Sequence, residues 1–235
     1  MKRLLILIVL LICSSGAYAQ KQDQYVGPVK EWTSSFTSID VDAHIKLTLV
    51  PISVDNAPYI IYDTKGDSSS NFSASVERGG VLKIREKYNS KRVGITEVEV
   101  HFNNVTDINI ARAETLVNGV INTKMLDINI SNGAKFVADL RLVDLNISVT
   151  DDCCVELSGT SQYQTADISS SQYSASGLRT QATVIKSRHN AEARIYAESR
   201  LEAKTTTGGV VMYKTEPEVL RTEKTLFGGE ISTLK

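Results

Sequence analysis

The sequence predicts an all-β protein, most of it built as a β-solenoid, and three observations support this fold class. Apolar and polar residues alternate with a period of two in many short segments, whereas helical periodicity is absent almost everywhere. From residue 107 onward a similar unit recurs every 17–21 residues. Each unit also contains a tight polar corner followed by a small residue. A repeat of this length is typical of one solenoid turn, which buries its apolar side only against stacked neighbours.

The N-terminus has the three-part pattern of a secretory signal peptide. A basic start (MKR) precedes the apolar run LLILIVLLI, and residues 17–19 (AYA) form an A-x-A cleavage site. The apolar run is too short to span a bilayer, which needs about 20 residues. We therefore expect residues 1–19 to be removed. Residues 20–235 are then expected to form a single domain of an exported protein, located in the periplasm, at the cell surface or outside the cell.

One alternative for the N-terminus is a lipid anchor on Cys13, although Ile12 stands where a lipoprotein signal has a small residue. Cleavage after Ala19 leaves 216 of the 235 residues, and loss of Lys2 and Arg3 changes the formal net charge from −1 to −3. The absence of a basic cluster excludes a nucleic-acid-binding protein. No later segment is apolar enough to predict a transmembrane helix.

Amphipathic strands are predicted before the repeat, within residues 32–103. Over residues 39–49 (IDVDAHIKLTL) apolar side chains alternate with Asp, His, Lys and Thr, as in a strand with one buried face. Further strands are predicted at Tyr59–Tyr62, Val81–Ile84 and Val98–Phe102. The polar segment 67–71 predicts a loop.

The repeat itself is marked by a residue that lies four positions before a small one, as Ile130 lies before Ala134. The proposed equivalents are Val149 before Cys153, Ser170 before Ser174, Ser187 before Ala191, and Thr205 before Gly209. The corners between them read SNG, TDD, SQY, RHN and TTG, and such residues tolerate left-handed backbone angles. Small inward residues are expected after each corner, because the backbone turns tightly around the core there.

Stacking of these turns predicts columns of equivalent residues. The tetrapeptide DINI occurs at Asp107–Ile110 and again at Asp127–Ile130, twenty positions later. The predicted columns are Ile108, Ile128 and Leu145 on the inside, Ile110, Ile130 and Ile147 beside them, and Asn109, Asn129 and Asn146 on the outer face.

The same stretches resemble the head GIN domain family of autotransporter adhesins. The matching segments are FTSIDVDAHI (36–45), ISNGA (130–134), the Ser-Gly pairs at 158–159 and 176–177, VMYKTEPEV (211–219) and FGGEI (227–231). The resemblance covers roughly residues 32–231 and implies a right-handed β-helix-like fold in an exported envelope protein. Several corners lack glycine, and the RHN corner at 188–190 is bulky. The resemblance implies no catalytic or binding residue, because none is established for the family.

Residues that could carry chemistry do not occur with a metal-binding or catalytic spacing. His44, His101 and His189 lack a His-x-His, His-Glu-x-x-His or Cys-x-x-Cys context. The sequence therefore predicts no catalytic residue, no cofactor-binding residue and no metal ligand. We expect the three histidines to be exposed to solvent.

Acidic residues offer one candidate cation site. Asp107, Asp127 and Asp144 precede three successive turns, and carboxylates stacked roughly 4.8 Å apart would repel each other unless a cation lay between them. The preferred interpretation is that each aspartate starts a strand at a turn, where aspartate is favoured anyway. The other acidic pairs are Asp40 with Asp42, and Asp151 with Asp152.

The two cysteines that follow the signal peptide, Cys153 and Cys154, are adjacent and cannot cross-link distant parts of the chain. Successive strand side chains face opposite sides. We therefore expect Cys153 to point inward, Cys154 to point outward and both to be reduced.

Two function classes follow from the predicted fold. The first is a non-enzymatic, adhesin-like binding or structural module of the cell envelope, with a polysaccharide or an envelope or surface protein as partner. The alternative is a carbohydrate-active β-helix enzyme, either a polysaccharide lyase or a hydrolase. The chain has no long insertion between turns to build a substrate groove, which favours the first class. Tyr163, Tyr173 and Tyr196 could offer stacking faces to sugar rings.

Overall fold

The computed structural model describes residues 27–66, 71–87, 90, 94–225 and 227–234, and these residues contain strands and turns but no helix. The predicted signal peptide and Cys13 lie outside the described residues. The strands are β1 (Val29–Trp32), β2 (Ser38–Asp42), β3 (Ile45–Pro51), β4 (Tyr59–Asp63), β5 (Ser73–Glu77), β6 (Val81–Arg85), β7 (Thr96–Phe102), β8 (Asp107–Ala111), β9 (Glu114–Asn122), β10 (Met125–Ser131), β11 (Lys135–Val149), β12 (Cys154–Ser169), β13 (Gln172–Arg188), β14 (Glu192–Thr206), β15 (Val210–Tyr213), β16 (Val219–Lys224) and β17 (Ile231–Thr233).

All seventeen strands belong to one continuous hydrogen-bonded sheet, which is coiled into a solenoid with two faces. Face 1 is the parallel stack of β6, β2, β8, β10, the second halves of β11–β14, and β16. Face 2 is the parallel stack of β7, β3, β9, the first halves of β11–β14, β15 and β17. One turn is a face-1 strand, a tight corner and a face-2 strand. The predicted β-solenoid is confirmed.

The amphipathic strands that precede residue 107 are part of the solenoid rather than a separate region. The alternating segment 39–49 divides at Ala43 into β2 and β3, which stack directly on β8 and β9. The chain then makes an excursion through β4–β7 and places β6 and β7 on the outer side of β2 and β3. Strands β5, β4 and β1 add to this end in antiparallel orientation. The N-terminal end of the solenoid is therefore extended by antiparallel strands.

The core is a set of apolar columns, and their register differs from the predicted one by two residues. Ile108 and Ile128 lie in line with Ile147, whereas Leu145 lies opposite Leu126. The predicted companion of Leu145 was therefore wrong. The second column was also wrong at its third member, and it consists of Ile110, Ile130, Val149 and Ile168. All the residues predicted to be inward in these two columns are nonetheless buried, because a shift of two keeps each side chain on the same face.

The corners between face 1 and face 2 are built from residues with left-handed backbone angles. Asn132 and Gly133 have φ of 59° and 73°, and Asp151 and Asp152 have φ of 64° and 60°. Neighbouring corners are joined by backbone hydrogen bonds, for example from Gly133 N to Asp151 O at 2.7 Å. The small inward residues after the corners form one column, whose members are Ala113, Ala134, Cys153, Ser171, Ala191 and Gly209.

Ser174 was wrongly predicted to belong to that column, and the length of the corner explains the error. Ile130 and Ala134 are four positions apart, but Ile168 and Ser171 are only three apart. This shorter corner needs a single left-handed residue, Ser170, with φ of 49°. The predicted pair Ser170 and Ser174 assumed the longer corner and placed the turn too late along the chain.

Polar residues replace apolar ones inside the later turns. Gln164 stands below Leu145 in its column, and Thr183 stands below Gln164. The side chain of Gln164 donates a short hydrogen bond to the hydroxyl oxygen of Tyr173, and Thr183 donates to Gln164 Oε1 over 3.3 Å. Thr183 also shares a 2.7 Å hydrogen bond with Thr180. These residues form a satisfied polar network at 0–2% exposure, as buried polar groups require.

Candidate functional site

A row of aromatic rings crosses the antiparallel strands at the N-terminal end of face 2. Trp32 on β1 lies directly opposite Tyr59 on β4, and Tyr59 lies directly opposite His101 on β7. Directly opposed residues project from the same side of a sheet, so the three rings are neighbours. We call Trp32, Tyr59 and His101 the aromatic row.

The rings of the aromatic row contact one another in order. The centroids of Trp32 and Tyr59 are 5.1 Å apart with an edge-to-face angle of 62°. Tyr59 and His101 are stacked at 4.1 Å and 14°. The ammonium group of Lys30 lies 3.7 Å from the Tyr59 centroid and 4.4 Å from the Trp32 centroid, a cation–π arrangement. Trp32 is nevertheless 66% exposed, an unusual environment for the largest apolar side chain.

Polar groups lie on both sides of the ribbon that carries the aromatic row. His101 Nε2 is 3.1 Å from Glu99 Oε2 on the same strand. On the opposite, core-facing side of the ribbon, Tyr62 donates a 2.8 Å hydrogen bond to Glu31, and the pKa of Tyr62 is raised by burial and then by this carboxylate. The aromatic row therefore offers an exposed indole ring, a cation and the carboxylate of Glu99 on one side of the ribbon.

The sequence matches the family model "Putative auto-transporter adhesin, head GIN domain" over residues 35–217. The chain belongs to this head GIN domain family. The match spans β2–β15 and so includes Tyr59 and His101, whereas Trp32 lies just before it. A comparison with curated proteins finds no match.

Two solved structures have a similar fold. A "putative adhesin" from Bacteroides fragilis NCTC 9343 has a TM-score of 0.75 and 16% sequence identity, over 88% of this chain and 96% of that one. A "putative lipid binding protein" from Parabacteroides distasonis ATCC 8503 has a TM-score of 0.66 and 16% identity, over 89% and 98% of the two chains. At these identities the likeness shows a shared fold.

Three of the acidic candidates from the sequence contact neighbouring side chains. Asp40 pairs with Arg85 at 2.6 Å, and Asp42 pairs with Arg112 at 2.5 Å. The carboxylate of Asp127 accepts a hydrogen bond from Asn146.

Asp107 and Asp127 do lie opposite each other, as predicted. Asp144 does not join them, because it lies opposite Met125, and the three-carboxylate stack was wrong. No group of three or more potential metal ligands occurs in the described ranges.

The histidines and tyrosines divide into exposed and enclosed residues. His44 and His189 are at least partly exposed as predicted, but the His101 side chain is only 13% exposed because it stacks on Tyr59. Tyr173 was wrongly placed on the surface, since it is fully buried and hydrogen-bonded to Gln164. The aromatic row itself could not be predicted from the sequence, because β1 has no alternating pattern and the β4–β7 pairing is non-local. The signal available was the single tryptophan of the chain.

The two cysteines point to opposite sides, as predicted. Cys153 is buried and Cys154 is exposed, and both are free. The thiol of Cys153 donates to the carbonyl oxygen of Thr150, 3.0 Å away. Burial raises the pKa of Cys153, which disfavours the reactive thiolate.

Proposed function

We propose that this chain is an exported, non-enzymatic binding module of the cell envelope, and that it holds a polysaccharide at the aromatic row. The family description as an adhesin supports a role in binding. The observation that carries the proposal is the exposed Trp32 at the end of three contacting rings. The described residues include no helix long and apolar enough to cross a membrane.

The chemistry of the aromatic row suits a sugar ring. The face of an aromatic ring carries partial negative charge. The C–H bonds on one face of a pyranose are weakly positive, so the two surfaces attract each other and exclude water. Tyr59, which is itself stacked on His101, packs against the indole ring of Trp32. Lys30 and Glu99 lie within the same patch and provide a donor and an acceptor for sugar hydroxyl groups.

An enzyme of the polysaccharide lyase or hydrolase type is less well supported by the geometry. Glycoside hydrolysis uses two carboxyl groups at a defined separation across a cleft. Asp40 and Asp42, one candidate pair, are each paired with an arginine. Binding without turnover is therefore the better account of this surface.

A glycan array tests the proposal with three forms of the purified protein. The wild-type chain is expected to retain a subset of polysaccharides, and Trp32→Ala is expected to lose them. Tyr163→Ala is the matched control, because Tyr163 is a 51% exposed aromatic residue far along the solenoid. Equal glycan binding by Trp32→Ala and the wild type would overturn the aromatic row as the binding site. Release of new chain ends from any bound polysaccharide would instead show an enzyme.

Export is tested separately by the mass of the mature protein. The proposal expects an N-terminus at Gln20, which follows the A-x-A site. An intact Met1 or a lipid on Cys13 would contradict cleavage at this site.

A further inference from the structure

We propose that two copies of this chain associate through the open edge of face 1, with β16 pairing antiparallel to β16 of the second copy. Within the described residues β16 pairs only with β14, and all six of its residues are exposed. An unpaired strand edge is a ready template for another strand. The charge pattern of this edge identifies the occupant as a second copy of the same chain.

The backbone groups available at this edge can be read from its pairing with β14. The N–H of Thr225 donates to Thr205 O at 3.2 Å, so it points toward β14. Backbone groups of alternate residues point to opposite sides of a strand. The N–H and C=O groups of Leu220, Thr222 and Lys224 therefore point to the open side, where they can form a ladder with an added strand.

The intrachain ion pairs define the charge pattern next to this edge. Glu202 on β14 lies opposite Arg221 on β16, with 3.4 Å between Arg221 Nη1 and Glu202 Oε1. Lys204 lies opposite Glu223, with 2.6 Å between Lys204 Nζ and Glu223 Oε1. The edge strand therefore presents one positive and one negative side chain, two residues apart, on the outer face.

Only one two-fold antiparallel register extends these ion pairs. If Thr222 lies opposite Thr222 of the second copy, Arg221 faces Glu223 of the second copy, and the reverse pair forms by symmetry. Each row then alternates in charge across the junction. Each row begins with Glu202 and Arg221 of one copy and continues with Glu223 and then Lys204 of the second copy. Centring the pair on Arg221 or on Glu223 would place like charges directly opposite each other, which is unfavourable.

Charge reversal in separate chains provides a sharp test, with mass measured by analytical ultracentrifugation. The wild-type chain is expected to dimerise. R221E and E223R each create two like-charge contacts across the junction and should raise the dimer dissociation constant about tenfold or more. An equimolar mixture of R221E and E223R should recover the dimer. In the mixed pair every reversed side chain faces an opposite charge.

Two controls separate a specific β16–β16 contact from a general effect of surface charge and from loss of folding. R194E reverses an exposed arginine on face 2, away from the edge, and should dimerise like the wild type. Melting temperatures establish that each variant is folded.

The proposal is overturned by three results. The first is a wild-type chain that stays monomeric at high concentration. The second is dimerisation of R221E or E223R alone as strong as that of the wild type. The third is an equimolar mixture of R221E and E223R that stays monomeric, and any one of the three is sufficient. An open-ended polymer of the wild type would also contradict it, because a two-fold pair is closed.

Discussion

Asn146 lies directly opposite Asp127 on the neighbouring turn, and its side-chain amide donates a 2.8 Å hydrogen bond to the Asp127 carboxylate. Asp127 in turn lies opposite Asp107. The outer face of the solenoid therefore places two carboxylates next to each other and follows them with an amide. The amide donor partly offsets the repulsion between the two carboxylates, whereas a third carboxylate would add to it.

We expect Asn146→Asp to lower the free energy of unfolding by about 0.5–1 kcal/mol at neutral pH, because it places a third carboxylate in line. Urea denaturation measures the change.

Asn129→Asp is the matched control for this change, because Asn129 lies opposite Asn109 rather than an aspartate. Equal losses in the two variants would show that the carboxylate neighbours do not matter.

The inside and outside of the solenoid could be predicted from the sequence, but the partners of each strand could not. Alternation has a period of two, so a shift of two residues leaves every side chain on its predicted face. For this reason Leu145 and Ile147 were correctly predicted to be buried in spite of wrong companions. The register depends on backbone pairing between turns. The sequence of one turn does not specify which residue of the next turn lies opposite.

An odd shift has a different consequence, and Tyr173 shows it. The corner at Ser170 is one residue shorter than the corner at 151–152. The predicted corner came late by an odd number of residues, so Tyr173 was assigned to the wrong side.

The aromatic row could not be predicted for another reason, because Trp32 and Tyr59 meet through strand pairing between residues distant in sequence. The sequence contains no local signal for such a contact.

Tyr173→Phe should destabilise the protein by about 1–3 kcal/mol, because the buried amide of Gln164 loses its hydrogen-bond acceptor. Equilibrium unfolding in urea measures this loss at pH 8. Tyr163→Phe is the control, and its effect should stay below about 0.5 kcal/mol because the residue is exposed. A neutral result for Tyr173→Phe would mean that the network around Gln164 contributes little.

Alkaline pH should distinguish Tyr173 from other tyrosines. Burial raises the pKa of Tyr173 well above its ordinary value of 10.0, and the hydrogen bond with Gln164 opposes this only in part. The folded state thus keeps a proton that the unfolded state releases. The resulting stability is fully present below about pH 10 and declines as the pH rises further. Between pH 10 and 11 the wild type should lose about 1 kcal/mol more than Tyr173→Phe. An equal loss of unfolding free energy in the wild type and in Tyr173→Phe over this pH range would contradict the prediction.

Gly209 should be far less tolerant of a methyl group than Gly133. A Cβ atom on Gly209 would lie 2.2 Å from the carbonyl oxygen of Ser187, a backbone atom that cannot move aside. We expect Gly209→Ala to cost about 3 kcal/mol by overpacking. Gly133 has open space around it and a φ of 73°, so Gly133→Ala should cost only about 1 kcal/mol of backbone strain. Thermal or urea unfolding of both variants gives the comparison, and equal losses would contradict the assigned contact.

The adjacent cysteines should differ sharply in their reaction with a thiol reagent. Cys154 is exposed and should be modified within the native protein. Cys153 is 2% exposed and its pKa is raised by burial, so it offers little thiolate and no access. In the chain that starts at Gln20, labelling followed by mass spectrometry should find one modified cysteine under native conditions and two in denaturant. In Cys154→Ala the rapid modification should disappear, whereas in Cys153→Ala it should remain. Equal native rates at both sites would mean that Cys153 does not occupy the inward position beside Ala134 and Ser171.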